Sequence, residues 1–161
     1  MFAAIRLTKI RKMWQLNSPS YQFNIKKEED KLLIFDTQRK RFVRLTPEEW
    51  VRQNFIRYLI EEKNYPFGRI AVETQVTINQ MKKRCDAIVY DKDLNPVIII
   101  EFKSPTVALD TKTLNQVAVY NYKLHVDIFI LSNGLQHFYF KKKADGSGYS
   151  ISTEIPVYQE G

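Results

Sequence analysis

Apolar residues recur along this chain in two rhythms, and the switches between them mark the elements. Residues 32 to 36, Leu-Leu-Ile-Phe-Asp, and 41 to 45, Arg-Phe-Val-Arg-Leu, flank the polar turn Thr37-Gln38-Arg39-Lys40 and predict a hairpin. The period then lengthens. Thr46 at N-cap, Pro47 at N1 and Glu49 at N3 make a capping-box sequence, with Leu45 and Trp50 at the positions of a hydrophobic staple. Val51, Phe55, Tyr58, Leu59 and Glu62 trace one helical face, of which the first four suit packing on a sheet. Tyr65-Pro66-Phe67-Gly68 stops this helix near Asn64.

From Arg69 the two-residue period takes over. Arg69 to Ile78 alternates in its latter part and predicts the first core strand. Asn79 to Lys83 turns the chain into a second strand, Arg84 to Tyr90, and Asp91 to Asn95 leads to a third, Pro96 to Lys103. Ser104-Pro105 ends that strand. Asp110 or Thr111 then caps a second helix running to about Leu124, striped by Leu114, Val117, Ala118, Asn121 and Leu124. Val126 to Leu131 is nearly continuous in apolar residues, as strands buried on both faces are. Reached through a helix, it pairs parallel to the third strand by a right-handed crossover. Ser132-Asn133-Gly134 turns into the aromatic strand Gln136 to Phe140, and the tail from Tyr149 adds an edge strand interrupted by Pro156. The expected fold is α/β with a mixed sheet: helix, three strands, helix, strand, behind an N-terminal hairpin.

The most apolar part of this pattern carries charges that are costly to bury. Strand alternation puts Glu101 and Lys103 on the face of Val97 and Ile99, opposite Ile98, Ile100 and Phe102. Asp86 shares a face with Ile88 and Tyr90, and an antiparallel hairpin brings it close to Glu101 and Lys103. Two carboxylates and an ammonium then meet at one edge of a hydrophobic sheet, where charge must be paired or bound to a metal. A hard divalent cation takes carboxylate oxygens and completes its shell with water and phosphate. Asp followed by Glu-x-Lys therefore suits metal-assisted phosphodiester hydrolysis. Glu-x-Lys by itself is equally compatible with a cross-strand ion pair at a strand end, with Asp86 an ordinary turn residue.

Composition sets the bounds. A chain of 161 residues with 44% hydrophobic content suits one compact domain, with a basic arm and hairpin at 1–45 and a core at 46–161. Lys and Arg number 25 against 18 Asp and Glu, a net charge of +7 that is compatible with a polyanionic partner. Arg6, Lys9, Arg11 and Lys12 fit either an arm along phosphates or a solvated terminus whose apolar residues pack locally. Lys82, Lys83 and Arg84 likewise fit a phosphate-contacting run or a solvated hairpin tip. The single cysteine, Cys85, excludes an internal disulfide and a Cys-rich zinc site, which suits a reducing cytoplasm. His125 and His137 have no third ligand at metal-binding spacing, and no nucleophile elbow or nucleotide-cradling glycine loop is present. No apolar run is long enough to span a bilayer, and a secretory signal is not expected.

Five pieces occur in a telling order: Thr46 to Gln53, Arg84 to Tyr90, Ile100-Glu101-Phe102-Lys103-Ser104-Pro105, Gln116 with Tyr120-Asn121, and Ser132-Asn133-Gly134. Together they resemble the PD-(D/E)xK nuclease superfamily, and within it the nuclease domain at the N-terminus of type I restriction enzyme R subunits and its stand-alone bacterial forms. Cys85 stands where the signature often has proline. The resemblance implies a restriction-endonuclease-like fold and a metal-dependent nuclease acting on DNA. It implies Asp86 and Glu101 as ligands of Mg²⁺ or Mn²⁺, with the Phe102 main-chain carbonyl a further ligand and Lys103 positioning water. It adds Gln116 and Tyr120 on the second helix as supports for site and DNA, with Lys112 on the same face, and Glu49 as a helix carboxylate at the metal. Glu49 also has a local task in the capping box, and both roles stand. Restriction-modification or DNA-repair subunits are the implied partners, and dimerisation would serve an enzyme that cuts both strands. The chain lacks the P-loop and the length of a helicase motor, so it is not expected to translocate DNA. A noncatalytic nucleic-acid-binding or assembly module that keeps the fold is the alternative.

Overall fold

A computed structural model describes residues 10–12, 14–78, 80–115 and 126–159. Strands β1 (Ile25–Glu28), β2 (Lys31–Asp36) and β3 (Arg41–Arg44) form a small antiparallel sheet, and helix α1 (Pro47–Glu61) follows. A second sheet then runs in chain order: β4 (Ile70–Ile78), β5 (Met81–Tyr90), β6 (Pro96–Phe102), β7 (Ile128–Ser132), β8 (His137–Lys142) and β9 (Tyr149–Ser152). Its neighbours are antiparallel except β6 and β7, which pair parallel as the crossover argument requires. Residues 111–115 are helical and begin the predicted second helix, whose remainder lies outside the described residues. Asp110 is its cap: the carboxylate accepts the Thr113 N–H at 2.8 Å. β1 is an addition to the predicted hairpin, because Ile-Lys-Lys-Glu has too few apolar residues to show an alternation.

Helix α1 starts as its sequence dictates, with Thr46 Oγ1 accepting the Glu49 N–H at 3.1 Å. It stops at Glu61, slightly before Asn64. There Asn64 takes a left-handed conformation (φ 58°), which asparagine tolerates, and the Tyr65 N–H reaches back to the Leu59 carbonyl. The helix lies between the two sheets, so seven consecutive residues, Trp50 to Ile56, are buried. On one side Trp50 packs with Ile10, Ile25, Ile34 and Leu45. On the other, Val51, Phe55, Ile56 and Leu59 meet Ala87, Val89, Ile98, Ile100, Phe102 and Ile130 of the large sheet. Ile88, Ile99, Phe129 and Leu131 fill the sheet's opposite face against Leu109, Val126 and Leu114. The alternation along β6 is thus as the pattern predicted.

Burying α1 on both sides also buries polar side chains, and these are joined in one network. Asp36, at the end of β2, accepts the backbone N–H groups of Gln38 and Arg39, an ion pair from Arg39 Nε, and Arg52 Nη2 at 2.7 Å. Arg39 and Arg52 both continue to Glu49, whose carboxylate also accepts Gln53 Nε2 at 2.7 Å. Burial opposes ionisation of Asp36, but the guanidiniums of Arg52 and Arg39 outweigh it and hold its pKa below the usual carboxylate value. A depressed carboxylate pKa stabilises the fold above the unfolded value of about 4, and this contribution disappears as pH falls through the folded value. Asp36→Ala leaves Arg39 and Arg52 without this partner and should cost about 3–5 kcal/mol at pH 7. Urea unfolding from pH 7 to 3 should also lose part of its acid sensitivity in the variant; an unchanged midpoint would exclude Asp36 as a structural anchor.

Candidate active site

The site is built by the pairing of three strands. β5 and β6 run antiparallel with Ala87 opposite Ile100 and Ile88 opposite Ile99; the ladder ends at the first of these pairs, and Asp86 and Glu101 are the next residues on the two strands. Asp86 is thereby held across the strand end, where its Oδ2 accepts the Phe102 N–H at 2.8 Å. Lys103, one residue beyond β6, reaches back to Glu101 with 3.3 Å between Nζ and Oε1. The predicted convergence of Asp86, Glu101 and Lys103 is therefore present. On the other edge of β5 the ladder pairs Val72 with Ala87 and Thr74 with Cys85 but skips Glu73, the residue opposite Asp86. Glu73 has φ 50°, a left-handed kink within a strand, and its carboxylate pairs with Arg84.

The environment of Asp86 resists negative charge. Burial first, and the Glu101 carboxylate second, raise its pKa from 3.8 to about 6; Glu48 and Glu73 add to this, against the bond from Phe102 N–H. Carboxylates forced together in a partly buried position form a donor set that a hard cation satisfies. Among the described residues no group of three or more His, Cys, Asp or Glu side chains is gathered, so side chains would supply two of the protein ligands, Asp86 and Glu101.

The other expected site residues fall in different places. Glu49 is taken up by Arg39, Arg52 and Gln53, as described above, while Glu48 is the helix carboxylate whose charge bears on Asp86. The Glu49 carboxylate is thus taken up in a structural ion cluster, and Glu48 beside it is exposed at the start of the helix. Lys82, Arg84 and Lys112 are exposed, Arg84 with its guanidinium on Glu73. Gln116 and Tyr120 lie outside the described residues, as does the side chain of Lys83. In the basic arm, residues 10–12 and 14–17 are no free tail: Ile10 is buried, and the Trp14 carbonyl accepts Trp50 Nε1 at 3.1 Å.

With this geometry in hand, comparison with known proteins decides the family. The family model described as "Type I restriction enzyme R protein N terminus (HSDR_N)" matches residues 47–156, from the first residue of α1 to beyond β9. The chain belongs to this family. The family match supports a restriction-endonuclease-like PD-(D/E)xK domain. Membership in the restriction R N-terminus family points to a nuclease-type role. Among solved structures the chain is similar to a protein from Anabaena variabilis ATCC 29413, described as "a putative nuclease belonging to DUF820". The two share 11% identity with a TM-score of 0.45, over 82% of this chain and 84% of that one. No curated protein matches the sequence. Among the described residues no helix is long and apolar enough to cross a membrane.

Asp86→Asn tests the electrostatics of this restriction R N-terminus domain directly. With a folded pKa near 6, ionised Asp86 destabilises the fold above that pH, and the penalty vanishes below about pH 4, where it is protonated folded or unfolded. The carboxamide keeps an acceptor for Phe102 and removes the charge. In EDTA at pH 8 the variant should gain on the order of 1–2 kcal/mol, solvent screening of the partly exposed group reducing the full effect. The gain should fade by pH 4 in thermal melts, and a loss of stability at pH 8 would contradict the crowded-carboxylate description.

Proposed function

We propose that this domain is a Mg²⁺- or Mn²⁺-dependent endodeoxyribonuclease that hydrolyses DNA phosphodiester bonds. The observation that carries the reading is the Asp86 carboxylate held on the Phe102 N–H, next to Glu101, with the Lys103 ammonium on Glu101. Asp86 and Glu101 would hold the metal, joined by the Phe102 carbonyl as in the resembled nucleases. When bound, the metal supplies stabilisation of charge on the phosphate and lowers the pKa of a coordinated water.

The remaining work falls to the chain's own groups. Phe102 N–H fixes the Asp86 carboxylate, so its orientation is set before substrate arrives. Lys103, held near Glu101, orients the attacking water and balances carboxylate charge beside an anionic substrate. Glu48 replaces Glu49 in this reading as the helix carboxylate at the site, with Glu49 retained for the cluster that seats α1. Exposed Lys82, Arg84 and Lys112, together with Lys83, Gln116 and Tyr120, are the proposed contacts to the DNA backbone. Subunits of a restriction-modification or repair assembly would supply the target specificity that a domain of this size lacks.

The deciding experiment is cleavage of supercoiled plasmid and labelled single- and double-stranded DNA by the wild type and Lys103→Ala in Mn²⁺, Mg²⁺ or EDTA. Metal-dependent nicking that falls at least about a hundredfold in Lys103→Ala is expected. DNA binding without cleavage in any metal would replace the enzyme by a noncatalytic nucleic-acid-binding module.

A further inference from the structure

Lys103 stands just past the end of β6, where a strand no longer dictates the direction of its side chain. Its N–H donates to the Ser132 carbonyl at 2.9 Å, the last bond between β6 and β7. Ser132 is fully buried and held from several sides. Its Oγ lies 2.7 Å from His137 Nδ1 and accepts the Gly134 N–H at 3.0 Å. The His137 ring packs on Phe55 and stacks on Tyr58, with centroids 5.0 and 6.2 Å away, so the bond is tied to α1.

The next residue holds the other end of the Lys103 loop. Asn133 is buried, donates from Nδ2 to the Val107 carbonyl at 2.8 Å, and accepts the N–H groups of Leu135 and Gln136 on Oδ1. Val107 N–H in turn closes on the Ser104 carbonyl. The segment from Lys103 to Val107 is therefore gripped at both ends by two successive residues of one turn.

From outside, the N-terminal segment clamps that turn. Asn17 donates its N–H to the Gly134 carbonyl at 2.8 Å and its Nδ2 to the Leu135 carbonyl at 2.7 Å. Leu16 lies so close to Gly134 that a Cβ there would come within 2.5 Å of Leu16 Cδ2, and the glycine's φ of 81° is itself a glycine conformation. Joining β7 to β8 requires none of these contacts to Lys103, Val107 or Asn17.

We propose that the Ser132-Asn133-Gly134 turn is the positioning element for Lys103, and that Asn17 is its clamp from the N-terminal segment. The proposal rests on the nuclease reading for the role of Lys103, while the brace itself is a physical link that can be measured without turnover. Asn17 is exposed, so Asn17→Ala removes the side-chain half of the clamp, the Nδ2 bond to Leu135, without opening the core. It should lower kcat for plasmid nicking by about tenfold while KM for DNA stays at the wild-type value, since small misplacements of a reacting group act on the chemical step. Hydrogen exchange of the Lys103 amide, followed by NMR in the metal-free protein, should quicken in the same variant. Asn133→Ala should do both more strongly, provided its melting curve remains cooperative. Wild-type exchange at Lys103 in Asn17→Ala overturns the brace. Faster exchange with an unchanged kcat overturns its catalytic use. A wild type that cleaves no DNA overturns the nuclease reading alone, and the exchange measurement still decides the brace.

Discussion

Strand β6 is hydrogen-bonded on both edges, antiparallel to β5 and parallel to β7, and the rest of the molecule depends on that double registration. Side chains alternate along a strand, so a slip of one residue would send Ile98, Ile100 and Phe102 away from α1 and carry Glu101 to the wrong face. The hydrophobic demand for a buried face therefore fixes where the charged residues at the strand end must stand. Function here borrows its precision from packing: the carboxylates need no local device to find each other once the apolar residues on either side are in place.

The same economy governs α1. A helix covered by sheets on both sides has no solvent face along its middle, and Arg52 and Gln53 are accordingly buried. Their charges and amides are satisfied through Glu49 and Asp36, which ties the small sheet to the helix that floors the large one. The described residues that precede α1 thus belong to the structural support of the site. Residues 10–12 and 14–17 extend this support to the turn after β7.

Much of this could be read from the chain because hydrophobic period and local chemistry agreed. The Thr46 cap, the Val51-Phe55-Leu59 stripe, the order of β4 to β7 and the meeting of Asp86 with Glu101 all follow from nearest-neighbour rules. Two things did not. That Arg39 and Arg52 would both engage Glu49 is a matter of tertiary placement; the hint was an arginine and two amides, Arg52 to Asn54, set among the apolar residues of one helix. The contacts of Asn17 with Gly134 and Leu135 join positions more than a hundred residues apart, and no periodicity reports them. Gln116 and Tyr120 had only the family resemblance to recommend them.

The kink at Glu73 has a consequence for the company this protein keeps. β4 is an outer strand of the large sheet, nine residues long, and a straight strand of that length would offer a continuous row of backbone donors and acceptors to any other chain. A left-handed residue in its middle breaks that row into two short pieces. At the opposite border β9 spans four residues, and Pro156 follows soon after. Both borders of the large sheet are thus poor templates for addition of a further strand.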